Sequence, residues 1–288
     1  MRIAVFLPCA YVRHLVASLE DHDEICSADS WEMLETLIRV EPLSVVVFSP
    51  HADGTMDVSR ACRLIRRFSS IPFVAYVPLD ATFARGIAHM SNEGLQELVV
   101  LRENDTPARF RDVLTRVSSI REVTALLDAL QPAFHHLPTI LVQCLVDALR
   151  QPHKYPSAEA IAAAAGMTVS GLYRSFRTAL LNSPKSFVIA AHTFRGYLYL
   201  QDAGFSVRDI AAKLGYTHPR IFAHQMECVF GERPSRIRYN LGMDDAVKQL
   251  VTWISPREGS QSVSIPDGSI PFRGNPISAS DRYALTAH

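Results

Sequence analysis

Five short apolar runs recur along the first 130 residues, and each predicts a β-strand. The runs are Ile3–Leu7, His22–Cys26, Ser44–Ser49, Phe73–Val77 and Glu97–Leu101. Amphipathic stretches between them predict helices, which cover Ala10–Glu20, Ser30–Val40, Met56–Phe68 and Ala81–Asn92, with a fifth from about Thr106. An uninterrupted apolar run such as the one at 45–48 is typical of a parallel sheet covered on both faces. Five strand–helix units in this length predict an α/β domain with a flavodoxin-like, doubly wound parallel sheet.

The fifth helix carries a long apolar stripe. Its members recur at three- and four-residue steps: Phe110, Val113, Val117, Ile120, Thr124 and Leu127. The N-terminal half of the stripe is expected to cover the domain's own sheet. The portion at Val123–Leu130 is the better candidate for a helical seam between two subunits, although the stripe could equally be packing within one domain. Pro132 is expected to end the helix, and Pro138 to open a further helix at Thr139–Arg150.

Two later segments repeat one pattern of polar caps, small residues and a glycine. In each, a short helix with small residues at helical spacing is followed by a glycine, Gly166 or Gly215, which can adopt a positive φ at little cost. Side-chain caps are expected at Ser157, Thr168, Ser206 and Thr217. Close crossing of two helices at such a turn lets the second helix enter a DNA major groove. The pattern therefore predicts two helix-turn-helix units in tandem.

The stretch Leu137–Leu241 resembles the DNA-binding domain of the AraC/XylS family of transcription regulators. The residues that carry the resemblance are Ala162, Ala163, Gly166, Met167, Thr168, Leu172, Arg174 and Phe176, then the run 206–211, Gly215, Tyr216, Phe222, Phe230, Gly231, Pro234 and Ser235. The sequence departs from the family pattern at Gly171, His192, Gly196, Pro219 and Met226. The resemblance implies a seven-helix, all-α domain whose two recognition helices bind double-stranded DNA.

The resemblance also implies which side chains face the DNA. Positions that point away from the apolar pairs Leu172/Phe176 and Phe222/Met226 form the candidate DNA-binding set, which is Ser170, Tyr173, Arg174, Arg177, Arg220 and His224. Arginine can bind guanine bidentately, which contributes about 1–3 kcal/mol of discrimination, whereas Arg174 and Arg177 could instead contact phosphates only. A connecting helix from about Lys185 to Asp202 is expected to hold the recognition helices about 34 Å apart, one turn of B-DNA.

Charge is distributed unevenly along a chain that is neutral overall. Residues 1–150 carry 14 basic and 19 acidic side chains, whereas residues 151–242 carry 11 basic and 5 acidic ones. The net charge of +6 falls on the region with the helix-turn-helix pattern, as neutralisation of DNA phosphates requires. A net charge of this size is also compatible with an ordinary protein surface.

The order of the N-terminal elements resembles a response-regulator receiver domain, but the residues for phosphorylation are missing. Where a receiver needs an acceptor aspartate, at the end of the third strand, the sequence reads Phe-Ser-Pro at 48–50. Pro8 and Cys9 stand where carboxylates would hold Mg²⁺. We therefore predict a pseudo-receiver, with Asp57 as a helix cap and Asp53 as a solvated acid. A ligand crevice could be lined by Ser49, His51, Tyr76, Asp80 and Arg102, but ordinary loop roles are the favoured interpretation of these residues.

Composition argues against several other classes of protein. No cofactor or metal site is expected, because the cysteines show no ligand spacing, and no nucleophile–base pair or phosphate loop indicates an enzyme. An odd number of cysteines without a secretory signal, and no apolar run near 20 residues, predict a cytoplasmic protein that does not enter membranes. A short helix is expected at Asp244–Ile254, followed from Ser255 by a disordered tail rich in Ser, Pro and Gly.

These patterns predict three regions: a pseudo-receiver at residues 1–131, an AraC-type DNA-binding domain at 132–242, and a short helix with a tail at 243–288. The expected function is regulation of transcription, as an activator, with the pseudo-receiver mediating dimerisation or signal input without phosphorylation. The expected partners are double-stranded DNA, a second copy of the chain and RNA polymerase. The alternative is a protein-interaction adaptor or anti-activator that has lost DNA binding.

Overall fold

The structure of the protein is a computed structural model. It describes residues 1–20, 23–54, 56–78, 84–101, 107–118 and 121–255. The chain divides into two compact units, here called unit 1 (Met1–Ser119 with Asp202–Phe205) and unit 2 (Ile120–Gln201 with Ser206–His288). The predicted disordered tail lies outside the described residues. Among the described residues, no helix combines the length and apolarity needed to cross a membrane.

Unit 1 contains a parallel five-stranded sheet in the order β2-β1-β3-β4-β5. The strands are β1 (Arg2–Phe6), β2 (Glu24–Ser27), β3 (Val45–Phe48), β4 (Phe73–Pro78) and β5 (Glu97–Leu101). The helices are α1 (Cys9–Val16), α2 (Trp31–Val40), α3 (Val58–Arg67), α4 (Ala84–Asn92) and α5 (Pro107–Ser118). The strand order is the flavodoxin-like one, so the predicted fold class of this region is confirmed.

The central strands of the sheet in unit 1 are buried on both faces, which explains their continuous apolar sequences. Alternate side chains point to opposite faces of a strand. On one face, Ile3, Val45 and Val47 join a cluster with residues of α1 and α5. On the other face, Phe48 lies 6.1 Å from the ring of Trp31, at the start of α2. Both faces of β3 are therefore excluded from water, as the sequence predicts.

Two polar features complete unit 1. The predicted cap at Asp57 is present, because its carboxylate accepts a hydrogen bond of 2.8 Å from the backbone N–H of Arg60 at the start of α3. The segment 202–205 belongs to the same unit, and the buried carboxylate of Asp202 accepts hydrogen bonds from the Ser69 hydroxyl at 2.8 Å and the Ser70 amide at 3.0 Å. These bonds satisfy a carboxylate that is only 1% exposed.

Unit 2 is helical throughout its described residues. Its helices are α6 (Arg121–Phe134), α7 (Thr139–Arg150), α8 (Ala158–Ala164), α9 (Val169–Thr178), α10 (Pro184–Gln201), α11 (Val207–Lys213), α12 (Pro219–Phe230), α13 (Pro234–Asn240) and α14 (Met243–Ile254), with a 3₁₀ turn at Pro152–Lys154. The predicted all-α C-terminal region is confirmed. Helix α7 begins and ends at the predicted residues, and α14 begins one residue before the predicted start.

Helix α10 forms the centre of unit 2. Nearly every side chain from Pro184 to Leu200 is buried, and α10 packs against α7, α8, α9, α11, α12, α13 and α14. Burial on every side is typical of a helix in such a central position, even though the buried residues of α10 include His192 and Arg195. Gly196 allows a close approach between α10 and α12, because a Cβ atom at this position would lie 2.5 Å from Cε2 of Phe222 on α12.

One expectation about the end of the fifth helix is wrong, and the predicted seam beyond it is only partly exposed. Pro132 does not end a helix, since α6 contains it and continues to Phe134. The candidate seam between subunits is largely core, because Val123, Leu126 and Leu130 are at most 1% exposed and α6 packs against α14 in unit 2. Val123, Leu126 and Leu130 are therefore covered within unit 2, whereas Leu127 is half-buried. The compact units divide between residues 119 and 120, whereas the boundary predicted from the sequence lies between 131 and 132.

Candidate nucleic-acid interface

Both predicted helix-turn-helix turns are built from the same backbone geometry. Gly166 and Gly215 have φ values of +64° and +82°, which favour glycine. After α8, the amide of Met167 donates to the carbonyl of Ala162 at 2.9 Å. After α11, the amide of Tyr216 donates to the carbonyl of Ala211, also at 2.9 Å. Identical turns separated by 49 residues show that the chain contains two copies of one supersecondary unit.

Side-chain caps fix where three of the four helices in these units begin. The hydroxyls of Ser157 and Thr168 accept bonds from backbone amides at the starts of α8 and α9. Ser206 forms a reciprocal capping box with Asp209 at the start of α11. The predicted cap at Thr217 is wrong, because α12 has His218 at its N-cap and no side-chain cap bond. Pro219 occupies the first turn of α12, where its missing N–H costs little.

The first recognition helix, α9, has one buried face and one exposed face. Leu172 and Phe176 are at most 1% exposed, and the ring of Phe176 lies 6.0 Å from that of Phe187 on α10. The four predicted DNA-binding side chains of this helix are all exposed: Ser170, Tyr173, Arg174 and Arg177. Packing on α10 therefore directs one face of α9 inward and leaves the predicted set facing solvent.

The second recognition helix, α12, repeats this arrangement. Phe222 and Met226 are fully buried, so the predicted inner face is confirmed. Tyr216, next to the turn glycine, packs its ring 5.4 Å from that of Phe222 and donates a hydrogen bond of 2.6 Å to Gln225. The predicted contact residues Arg220 and His224 are exposed, and the Nε2 atom of His224 lies 3.7 Å from Sγ of Cys228.

Three arginines on the recognition helices remain available for phosphates or bases. Within the described part of the chain, no carboxylate lies within ion-pair distance of Arg174, Arg177 or Arg220. Some arginines elsewhere on the surface are paired, such as Arg39 with Glu35 at 2.8 Å. Exposed cations without local counter-charges are what phosphate neutralisation requires.

Helix α10 contains a buried histidine that packs against the second helix-turn-helix unit. His192 is 1% exposed, and desolvation by burial lowers its pKa from the ordinary 6.5 to about 3, although backbone hydrogen bonds oppose the shift. Its ring lies 6.0 Å from that of Tyr216 in an edge-on contact. Because burial disfavours the charged form, His192 is neutral at physiological pH.

Helix α14 packs beside the start of α10, which the sequence pattern did not predict. The side-chain amide of Asn182, just before α10, donates to the carbonyl of Trp253 at 3.1 Å. The indole N–H of Trp253 donates to the carbonyl of Ser186 at 3.0 Å. The apolar spacing of Ala246, Leu250 and Trp253 indicates a buried helix face, but it does not reveal the partner of that face.

The possible ligand crevice of unit 1 receives little support. Ser49, at the end of β3, is fully buried, and Tyr76 belongs to the core, with its ring 5.1 Å from that of Phe110. His51 is half-buried, whereas Asp80 and Arg102 lie outside the described residues. Across the described ranges, no three His, Cys, Asp or Glu side chains cluster closely enough to hold a metal ion.

Comparison with known proteins supports the helix-turn-helix geometry. A family described as a helix-turn-helix domain matches residues 161–240, a range that begins in α8 and ends with α13. None of the curated proteins compared with the chain matches it.

Two solved structures are similar to parts of the chain. The chain is similar to NtrX from Brucella abortus, with 15% sequence identity and a TM-score of 0.37 over 57% of this chain and 40% of that one. It is also similar to full-length FixJ from B. japonicum, with 13% identity and a TM-score of 0.35 over 74% of this chain and 97% of that one. The chain thus spans less than half the length of the NtrX chain.

These observations define a class of protein. Unit 2 contains a helix-turn-helix domain that spans residues 161–240, and unit 1 has the flavodoxin-like strand order. The chain therefore combines an α/β unit of flavodoxin-like strand order with a helical unit that contains a helix-turn-helix domain.

Proposed function

We propose that the protein is a sequence-specific regulator whose two recognition helices, α9 and α12, read successive major grooves of one DNA site. The observation that carries this proposal is the shared geometry of the two units. Each has a positive-φ glycine turn, an inner face buried on α10 and an outer face of exposed polar side chains. Base contacts are assigned to Ser170, Tyr173, Arg174, Arg220 and His224, and a phosphate contact to Arg177.

The length of α10 supports simultaneous binding by both helices. Its 18 residues make it about 27 Å long at a rise of about 1.5 Å per residue. Adjacent turns of the major groove on one face of B-DNA are about 34 Å apart. Since α9 and α12 both pack against α10, this rigid helix can separate them by nearly one turn of DNA.

The test is selection of binding sites from random-sequence DNA by the full chain, followed by titration at several salt concentrations. Arg174→Ala is expected to relax the preference at one or two base positions, at a cost of about 1–3 kcal/mol for the preferred site. Arg177→Ala is expected to weaken binding to all sequences equally and to reduce the salt slope by about 1. Arg150→Ala is the matched control, because it removes an exposed arginine at the end of α7.

Two results would contradict the proposed reading of DNA. Equal loss of affinity for every sequence on replacing Arg174 would make that residue a phosphate contact. Absence of any salt-dependent DNA binding by the full chain would favour the adaptor or anti-activator instead.

We infer further that unit 1 acts without phosphorylation. The buried Ser49 stands at the end of β3, where a receiver has its acceptor aspartate, and Asp57 is engaged as the cap of α3. Asp53 is exposed in the following turn. Treatment with acetyl phosphate, followed by intact-mass measurement, is expected to leave the mass unchanged. A mass increase that Asp53→Asn abolishes would overturn this inference, and a receiver with its acceptor aspartate serves as the positive control.

The wider setting of the regulator follows from DNA binding. We place the protein in the cytoplasm, where DNA and RNA polymerase are available to it, and we assign it the role of an activator that contacts the polymerase. A reporter gene downstream of a selected site should respond to expression of the protein. Lower reporter output with the protein than without it would make the protein a repressor.

A further inference from the structure

An open apolar groove runs between α6 and α7 of unit 2. We call it the α6–α7 groove, and it is lined by Leu127, Asp128, Gln131, Phe134, His135, Leu137, Thr139, Val142 and Val146. Its volume is about 500 Å³. Leucine, phenylalanine and valine side chains form its apolar part, whereas an acid, an imidazole, an amide and a hydroxyl supply its polar part. An apolar centre with a polar rim is the usual anatomy of a protein–protein interface.

A large apolar side chain protrudes next to this groove. Ile140 is 61% exposed and lies in the first turn of α7, beside the groove residue Thr139. Leu127, on the opposite wall, is half-buried. The same surface therefore offers both a protruding side chain and an apolar recess. In an interface with two-fold symmetry, residue i of one copy contacts residue j of the other and the reverse contact repeats, so a surface with both features can complement itself.

The charges of the groove also suit a second copy of the chain. Its charged and titratable lining consists of Asp128 and His135, so a two-fold axis can place the acid of each copy near the imidazole of the other. Among the described residues, no lysine or arginine lines the groove, which disfavours a nucleic acid or an acidic peptide as its occupant.

The size of the surface indicates a weak contact. Helices of 14 and 12 residues are about 21 Å and 18 Å long, so two such faces bury on the order of 800 Å² in total. Stable dimers bury about 1,200–2,000 Å². A contact of this size needs assistance, which tethering of two copies to neighbouring DNA sites supplies through effective concentration.

We propose that the α6–α7 groove joins two DNA-bound copies of this chain, with Ile140 of each copy entering the groove of the other. This proposal rests on the proposed DNA-binding function and adds the surface through which paired sites are occupied cooperatively. The contact lies on helices outside the matched helix-turn-helix range, so it can change without altering the DNA-reading side chains.

The test compares DNA that carries one selected site with DNA that carries two neighbouring sites on the same face, using the full chain. The wild type is expected to bind the paired site at least 10-fold more tightly than two independent single sites would allow. Ile140→Asp and Leu127→Asp should each reduce that gain by about 10-fold or more and leave single-site affinity unchanged. Val16→Asp, which changes a 51% exposed valine of unit 1, should leave both affinities unchanged.

Each remaining outcome overturns the proposal or separates it from the proposed function. The proposal is overturned if, at every spacing tested, the paired site is bound no more tightly than two independent single sites. It is also overturned if both groove variants retain the gain in affinity for the paired site. Truncation after Ser255 should preserve the gain, and a gain that appears or disappears on truncation would make the C-terminal segment the occupant of the groove. If no single site is bound, the proposed function fails, and sedimentation of the full chain up to about 100 μM then tests the groove alone. The wild type is expected to self-associate in that experiment. Self-association of the Ile140→Asp variant would overturn the proposal.

Discussion

Replacement of Gly196 by alanine tests whether α12 is positioned by close contact with α10. A Cβ atom at residue 196 would lie 2.5 Å and 2.9 Å from two ring carbons of Phe222, and 3.3 Å from Cδ1 of Leu214. Carbon atoms pack best at about 3.5–4.0 Å, so the Phe222 ring must move by about 1 Å. The ring is fully buried and has no open space to enter without displacing its neighbours.

The expected magnitude follows from two opposing effects. Overpacking of a buried site costs about 1–3 kcal/mol, whereas a mid-helix change from glycine to alanine contributes about 1 kcal/mol of helix propensity. The net effect of Gly196→Ala is therefore a loss of about 1–2 kcal/mol in the free energy of unfolding. For a domain of this size, such a loss lowers Tm by about 3–8 °C.

Urea unfolding and DNA titration measure the effect on stability and on function. Phe222→Leu introduced together with Gly196→Ala should recover part of the loss, with a coupling of about 0.5–3 kcal/mol between the two sites. Gly171→Ala is the matched control, because a Cβ atom there would meet only the Thr168 hydroxyl, at 3.2 Å, and should leave stability unchanged or slightly higher. If Gly196→Ala stabilises the protein by the propensity gain alone, or if the double variant shows no coupling, the packing argument is refuted.

Three further predictions follow from other parts of unit 2. Folding favours the neutral form of His192, because its pKa is lower in the folded than in the unfolded chain. The contribution of His192 to the free energy of unfolding should therefore be complete above about pH 6.5, and it should fall by about 1.4 kcal/mol per pH unit as the pH decreases toward 3. Urea unfolding between pH 7.5 and 5 should show a shallower dependence in His192→Gln, and an equal dependence would refute the assignment. Leu180 has a φ of +55°, and Leu180→Gly should raise the free energy of unfolding by about 1 kcal/mol by relieving left-handed strain; a loss of stability would show that Leu180 makes compensating contacts. Trp253→Ala should cost about 3–5 kcal/mol because the ring is buried and its N–H is bonded to the carbonyl of Ser186, and a loss below about 1 kcal/mol would show that α14 contributes little to unit 2.

Local signals in the sequence predicted much of the fold. The sheet and its order follow from short apolar runs spaced by amphipathic helices, and Thr139–Arg150 is a helix with the predicted ends. The turn glycines Gly166 and Gly215 have the positive φ values that their position after a small-residue helix indicates. Each of these features is determined by residues that are close together in the sequence, so the sequence alone is enough to predict it.

Features that depend on distant neighbours could not be predicted in the same way. The stripe at Val123–Leu130 looks the same in sequence whether a second subunit or another helix covers it, and in the structure α6 packs against α14. Gly196 reads as a departure from the family pattern until Phe222 is placed opposite it. Whether Thr217 or His218 is the N-cap of α12 depends on the residue at which the helix starts. Apolar periodicity does not define a helix start to within one residue. The exposed positions of the candidate DNA-binding residues could be predicted because the buried residues on the opposite faces of the same helices could be predicted. Their contacts with DNA are still a prediction.

The burial of α10 on all sides limits how the DNA preference of this protein can change during evolution. Substitutions at outward positions of α9 and α12 alter side chains that face solvent and leave the packing untouched. Substitutions along Pro184–Leu200 disturb several neighbouring helices at once, because almost every position there is covered. Under the proposed reading of DNA, base preference can therefore drift by single mutations, whereas the spacing of the two recognition helices is inherited as a fixed length.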